Sequence, residues 1–224
     1  MSKNIVIISA HPDDEILGAG GTLLKHKKQS DNLYWIIITK MHESQEFDNE
    51  KIKNREKEIE KISAEIGYQK VFNLEYKTME LNSSSVLKMI PEIGNIFNQI
   101  KPEIIYCVNR SDAHSDHKFT FDAVAASTKS FRYPFIKKFL MYECLSETEF
   151  SPTLHESSFT PNYYVDISEN IDQKLELMKI YASEIGEHPF PRSETNIKAL
   201  ATFRGAVAGV MYAEAFQIVR CIDK

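Results

Sequence analysis

The sequence predicts an α/β fold built on a mostly parallel sheet, on three observations. Short β-branched runs alternate with amphipathic stretches through the first two-thirds of the chain, and right-handed βαβ units are the arrangement that satisfies such alternation. A polar cluster, Ser9 to Glu15, falls between the first apolar run and the first helical stretch, where open α/β sheets bind their ligands. The composition, 42% hydrophobic and 26% charged over 224 residues, suits one sizeable globular domain, 1–224.

Each element has its own signal. Ile5-Val6-Ile7-Ile8 marks a buried strand within Asn4 to Ala10, and Pro12 forces a turn after it. Ile16, Leu17, Leu23 and Leu24 recur at helical spacing, so a helix runs from about Glu15 to Lys28, with Lys25-His26-Lys27-Lys28 complementing its dipole. Leu33 to Thr39 is a second buried strand. Asn49 to Ile66 places Ile52, Ile59, Ile62 and Ile66 on one face and ends at Gly67, a good left-handed terminator. Val71 to Leu74 is a short third strand. Val86, Leu87, Ile90, Ile93, Phe97 and Ile100 mark a helix that Pro91 either kinks or opens. Ile104 to Val108 is a fourth strand, followed by a polar loop through His117 and a helix of alanines to about Ser130. Phe139 to Glu143 is a fifth strand, Ser146 to Pro161 is irregular, and Tyr163 to Val165 is a short strand. Ser168 to Tyr181 is a helix with Ile171, Leu175 and Met178 in register, and Gly186 to Ser193, with Pro189 and Pro191, is a loop.

Composition narrows the partners. The formal net charge of -5, with no long basic run, argues against nucleic acid. The sequence holds neither a secretory leader nor an apolar run long enough to span a bilayer, so no membrane partner and a reducing cytoplasm are expected. Cys107, Cys144 and Cys221 are widely spaced, which indicates neither a disulfide framework nor a thiolate zinc site. Cys107 reads as a small buried hydrophobe. Self-association into a homo-oligomer stays open.

The chemistry concentrates in two stretches. His11, Asp13, Asp14 and Glu15 put one imidazole and three carboxylates within five residues; they cannot all be buried unpartnered, and a divalent metal resolves the crowding. The loop after the fourth strand, Asp112-Ala113-His114-Ser115-Asp116-His117, supplies the rest, and doubly wound sheets bring two such loops together. Two histidines and one carboxylate, with positions left open, make a catalytic zinc site. His11, Asp14 and one histidine of the second loop provide that set, and without a thiolate other divalent metals also fit. Asp13, pointing away from its neighbour Asp14, is placed as general base beside the metal's water. His114 stands ready to protonate a leaving amine or stabilise an oxyanion, with Asp116 accepting from its ring N–H. Together these groups describe metal-assisted hydrolysis.

Ala10-His11-Pro12-Asp13-Asp14-Glu15, the glycines Gly18, Gly20 and Gly21, and His114-Ser115-Asp116-His117 resemble the LmbE-like, or PIG-L, zinc deacetylases. So do Arg55-x-x-Glu58, Lys174 through Tyr181-Ala182-Ser183, and Arg204-Gly205 with Tyr212 to Phe216. The resemblance implies a Rossmann-like, three-layer αβα fold and zinc-dependent hydrolysis of an N-acetyl group, usually on a glucosamine-containing substrate. It implies His11, Asp14 and His117 as Zn2+ ligands and Asp13 as base. It places His114 facing the tetrahedral intermediate with Asp116 in support, and Arg55 on the substrate. Thr39-Lys40-Met41-His42-Glu43 departs from the usual Thr-x-Gly-Glu, and Asn73 to Lys77 lacks the usual aspartate. Both departures lie where sugar contacts are expected, so the sugar stays open.

Plainer readings compete. His11 and the two aspartates alone could cap a helix. Gly18-Ala19-Gly20-Gly21 suits close helix packing better than a dinucleotide loop. Arg55 lies on a charged helix face where a surface salt bridge competes with a substrate contact. Arg192, a candidate substrate contact, and His188 sit in the proline-bearing loop, where a mobile surface loop is the simpler reading. Arg204, near Tyr212 and Glu214, suits a structural ion pair, and His26, His42 and His155 read as surface histidines. A metal-dependent phosphoesterase and a non-catalytic sugar-binding module are the alternative functions.

Overall fold

A computed structural model describes residues 2–44, 47–152 and 158–223. The chain alternates β1 (Asn4–Ser9), α1 (Asp14–Lys28), β2 (Asn32–Lys40), α2 (Asn49–Ile66), β3 (Lys70–Lys77), α3 (Ser83–Ile100), β4 (Ile104–Val108), α4 (Ser115–Ala126) and β5 (Lys138–Tyr142). It closes with β6 (Tyr163–Asp166), α5 (Ile171–Met178), α6 (Glu194–Ala208) and β7 (Ala213–Cys221). Seven strands form one sheet in the order β3-β2-β1-β4-β5-β7-β6. The first five run parallel, and β7 lies antiparallel to both β5 and β6. This is the mostly parallel α/β sandwich that the alternation predicts. No helix among the described residues is long and apolar enough to cross a membrane.

Residues and structure correspond closely where burial is complete. β1 and β4 are apolar runs buried along nearly their whole length, as central parallel strands must be. Helix α2 spans Asn49–Ile66 and stops at Gly67 with φ 80°, a left-handed cap that glycine adopts without Cβ strain. The glycines of α1 permit close packing. A Cβ on Gly18 would lie 2.1 Å from the Tyr142 ring and 2.8 Å from the Glu143 carbonyl oxygen. No dinucleotide loop is needed to explain them.

Several boundaries differ from expectation. β3 extends to Lys77 because it is an edge strand with alternating exposure, so its outer half lacks an apolar run. Pro91 lies inside α3, which begins earlier, at Ser83, behind an Asn82–Ser85 capping box. α4 starts at Ser115, so Asp116 and His117 occupy its first turn rather than a loop. α5 is shorter than expected, ending at Met178. α6 and the antiparallel β7 follow the 186–193 loop and lie beyond the elements that the sequence predicts.

The order reverses between β1 and β4, which are paired with Ile8 opposite Cys107. Their carboxyl ends therefore lie side by side at the switch point of the sheet. The two polar stretches emerge there.

Candidate active site

The first stretch is held in an uncommon backbone shape. Asp13 has φ 131° and ψ −33°, a region that non-glycine residues reach at a cost of order 1–3 kcal/mol. Its surroundings fix it. The Asp13 N–H donates to Glu15 Oε2 at 3.0 Å, and the Tyr181 hydroxyl donates to Glu15 Oε1 at 2.7 Å. Burial pushes the Glu15 carboxyl up to about 8. Arg55 donates to the Pro12 carbonyl, and the His11 N–H donates to Asp14 Oδ2 at 2.9 Å. The turn separates the two aspartates: Asp14 Oδ1 lies 3.3 Å from His117 Nε2, while Asp13 Oδ2 lies 3.0 Å from Arg192 Nη1.

The second stretch is organised by the start of α4. His114 caps the helix, its Nδ1 accepting from the Asp116 N–H at 3.1 Å. An accepting ring nitrogen carries no proton, so neutral His114 keeps its proton on Nε2. Burial and the neighbouring His11 push His114 down to about 4. The Asp116 carboxylate does not reach His114, contrary to expectation. It turns instead to His11 Nε2 at 3.1 Å and accepts from the Met79 and Leu81 amides at 2.7 and 3.3 Å. The helical position explains this, since the backbone of Asp116 already engages the His114 ring. On the other side, Asp112 Oδ2 lies 2.8 Å from His117 Nδ1. No motif marks Asp112 for this contact; its place five residues before His117 on the same loop is the one signal the sequence carries.

Three groups of donors converge within 4.8 Å: His11, Asp14 and His117; His11, His114 and Asp116; and Asp112, His117 and Cys144. Hydrogen bonding separates them. His114 presents a protonated Nε2, and the Asp116 oxygens already accept from backbone amides. Asp112 already accepts from Asn109 Nδ2 and Thr148 Oγ1, both at 2.7 Å. Burial and Asp14 push the Cys144 thiol well above its usual range, so it stays protonated. In the first group Asp14 Oδ2 accepts from the His11 N–H and Oδ1 faces the Cys144 thiol, while the two ring nitrogens turned toward Asp14 are unoccupied by hydrogen bonds among the described residues. His117 Nε2 is buried without a hydrogen-bond partner among the described residues. Burial opposes it, but His117 and His11 hold Asp14 below the usual carboxylate range. Both histidines have a carboxylate on their other ring nitrogen, the arrangement that orients metal-bound imidazoles. His11, Asp14 and His117 therefore fit a divalent metal by donor chemistry.

Asp13 stands beside this group. Burial, then the nearby charges of Asp14 and Glu184, push its carboxyl up to about 7 against the pull of Arg192 and Arg55. Arg192 bridges Asp13 and Glu184, its Nη2 3.1 Å from Glu184 Oε2. The 186–193 segment is a loop as expected, but Arg192 is anchored rather than mobile, while His188 is exposed outside the cleft. Arg55 is buried, which overturns the surface salt bridge. Its Nε pairs with Glu58 at 3.0 Å, and its remaining nitrogens reach Pro12 O, Ser183 Oγ and Glu184.

Other expectations resolve away from the cleft. Arg204 pairs with Glu143 through two bonds of 2.9 and 2.6 Å, while Glu214 pairs with Lys174 at 2.7 Å. His26 is buried between Asp31 and the Tyr106 hydroxyl, not on the surface. His42 is exposed, Cys107 is fully buried, and His155 lies outside the described residues.

The cleft above the donors holds about 270 Å³. Thr39, Lys40, Met41 and Asn73, from the two departing segments, line it. Residues 6–128 match the model of a protein family described as PIG-L, GlcNAc-PI de-N-acetylase. The chain belongs to the PIG-L family. Among its relatives, diacetylchitobiose deacetylase of Thermococcus kodakarensis is 25% identical over 224 residues, covering 97% of this chain and 83% of that protein. In three dimensions the chain is similar to N,N'-diacetylchitobiose deacetylase from Pyrococcus horikoshii solved with an inhibitor. That match has a TM-score of 0.76 and 22% identity, and covers 97% and 84% of the two chains. It is also similar to a 4-carboxy-2-hydroxymuconate hydratase from Pseudomonas putida KT2440, with TM-score 0.74, 16% identity and coverage of 99% and 98%. The fold alone therefore does not specify a reaction.

Proposed function

We propose that this PIG-L family chain is a zinc-dependent N-deacetylase that hydrolyses the acetamide of an N-acetylated amino sugar. The observation that carries the reading is the convergence of Asp13 with the His11, Asp14 and His117 donors in one cleft. Family membership and deacetylase relatives that act on diacetylchitobiose support the acetamido-sugar substrate. A non-catalytic sugar-binding module has no use for a carboxylate held in a strained turn beside a metal. A phosphoesterase of the two-metal kind needs a second, independent donor set, and each of the other two groups among the described residues shares a histidine with the first.

His11, Asp14 and His117 would hold the metal, oriented by Asp116 on His11 and Asp112 on His117. A bound divalent cation supplies Lewis acidity toward the amide carbonyl and lowers the pKa of nearby water. Asp13, with its raised proton affinity, accepts the proton of the attacking water and returns it to the departing amine. The His114 Nε2–H donates to the carbonyl oxygen as negative charge develops there. Arg192 keeps the Asp13 carboxylate aimed into the cleft. A reducing cytoplasm is the proposed compartment, consistent with free Cys107, Cys144 and Cys221. Residues 1–224 are proposed to act as one domain on the single sheet.

The test combines metal content with release of free amine from diacetylchitobiose and N-acetylglucosamine conjugates. Chelation is expected to stop amine release and zinc to restore it. His117→Ala is expected to lose metal, whereas Asp13→Asn is expected to keep metal and lose at least a thousandfold in turnover. Chelator-resistant activity, or full activity of Asp13→Asn, would overturn the mechanism.

A further inference from the structure

The apolar stripe of α2 is only half covered by protein. Ile62 and Ile66 are fully buried in the core, but Ile52 and Ile59 of the same stripe line the cleft. Ile52, Arg55, Glu56 and Ile59 stand at i, i+3, i+4 and i+7, one continuous helical face. Met41 and Phe47, from the segment joining β2 to α2, line the cleft beside them.

The polar groups on this wall are engaged elsewhere. Arg55 directs its nitrogens to Pro12, Glu58, Ser183 and Glu184. Lys40 lies 3.1 Å from Glu56 and 3.3 Å from Glu75. Sugar hydroxyls need hydrogen-bond partners that survive desolvation, and this wall presents mainly alkyl, thioether and aromatic surface. Met41 belongs to the departing segment, where the family resemblance leads one to expect glycine. Other polar residues of the cleft lie off this helix face: His114 and Glu147 on the α4 and β5 side, Thr39 and Asn73 on β2 and β3.

We propose that the substrate carries an apolar alkyl or aryl substituent beside its acetamido sugar, and that Met41, Phe47, Ile52 and Ile59 form the subsite receiving it. The proposal rests on the deacetylase reading for the sugar end, but the subsite follows from the wall itself. Covering these side chains removes apolar area from water, and even one isoleucine-sized contact changes affinity by about tenfold.

The experiment compares methyl and hexyl N-acetyl-β-D-glucosaminide on zinc-loaded full-length protein, by amine release and by calorimetric binding. The hexyl glycoside is expected to be favoured at least about tenfold in kcat/KM, and Ile52→Ser to reduce that ratio severalfold. Leu87→Ser, on the exposed face of α3, is expected to leave both rates unchanged. Amine release at equal efficiency from both glycosides, or an undiminished ratio in Ile52→Ser, overturns the subsite and leaves the deacetylase reading standing. Tighter binding of the hexyl glycoside, lost in Ile52→Ser and without amine release, supports the subsite while the deacetylase reading falls. Equal or absent binding of both glycosides, with no amine release, overturns the subsite as well.

Discussion

Asp13 carries its carboxylate on a backbone that the rest of the site must hold in place. The φ of 131° is one that a side chain disfavours, so glycine suits it better than alanine. In an ordinary position alanine is the more stabilising of the two by about 0.5–1 kcal/mol. Here the order is expected to invert, with Asp13→Gly more stable than Asp13→Ala by about 1 kcal/mol or more. Thermal melts of the two variants check it, and the ordinary order would show that the turn is unstrained. The convergence of His11, Asp13 and Asp14 on one cleft was legible in the motif His11-Pro12-Asp13-Asp14 because its donors crowd a few residues. The partners of those donors were not legible. Asp116 reaches His11 rather than His114, and Asp112 reaches His117, because α4 begins two residues before His117 and turns each side chain by helical geometry. Arg55 looked solvent-facing among lysines and glutamates, yet Pro12, Ser183 and Glu184 close over it from distant parts of the chain.

At the level of elements, the close approach of α1 to β5 depends on missing side chains. A methyl at Gly18 would meet the Tyr142 ring and the backbone carbonyl of Glu143, and the backbone contact cannot be relieved by a rotamer change. Gly18→Ala is expected to destabilise by about 1–3 kcal/mol, despite the better helix propensity of alanine. Denaturant titration would read this directly, and a stabilised variant would mean that the helix shifts freely. Largely buried β1, β2, β4 and β5 and the capped α2 were readable, since continuous apolar runs and a terminal glycine leave strong local signals. The outer half of β3 and the whole of β7 were not. Both have interrupted burial patterns, and antiparallel insertion of β7 between β5 and β6 is decided by the sheet rather than by its residues.

Across the whole molecule, one buried pair ties the late part of the chain to the first helix. Lys174 Nζ donates to Leu17 O and to Glu214 Oε1, both at 2.7 Å. Glu214 in turn accepts from the Gly21 and Thr22 amides at 2.8 and 2.7 Å. Removing one member leaves an uncompensated buried charge, so Lys174→Met is expected to cost about 3–5 kcal/mol. Adding Glu214→Gln is expected to recover part of that loss, and strictly additive effects would show that the two groups are uncoupled. The parallel sheet and its switch point were legible from strand–helix alternation. This strut was not, because its members lie 40 residues apart and nothing in either stretch marks the other as its partner.

The Asp116 carboxylate joins His11 to the Met79 and Leu81 amides on the far side of the cleft. If a divalent metal binds at His11, Asp14 and His117 as proposed, those two amides would serve as a built-in gauge of its occupancy. Ordering His11 steadies the carboxylate they donate to, so their protons are expected to exchange with deuterium more slowly once zinc is added. Exchange rates indifferent to zinc would disconnect them from the site. A slowed pair would let ligand affinity be followed in the intact protein without any substrate.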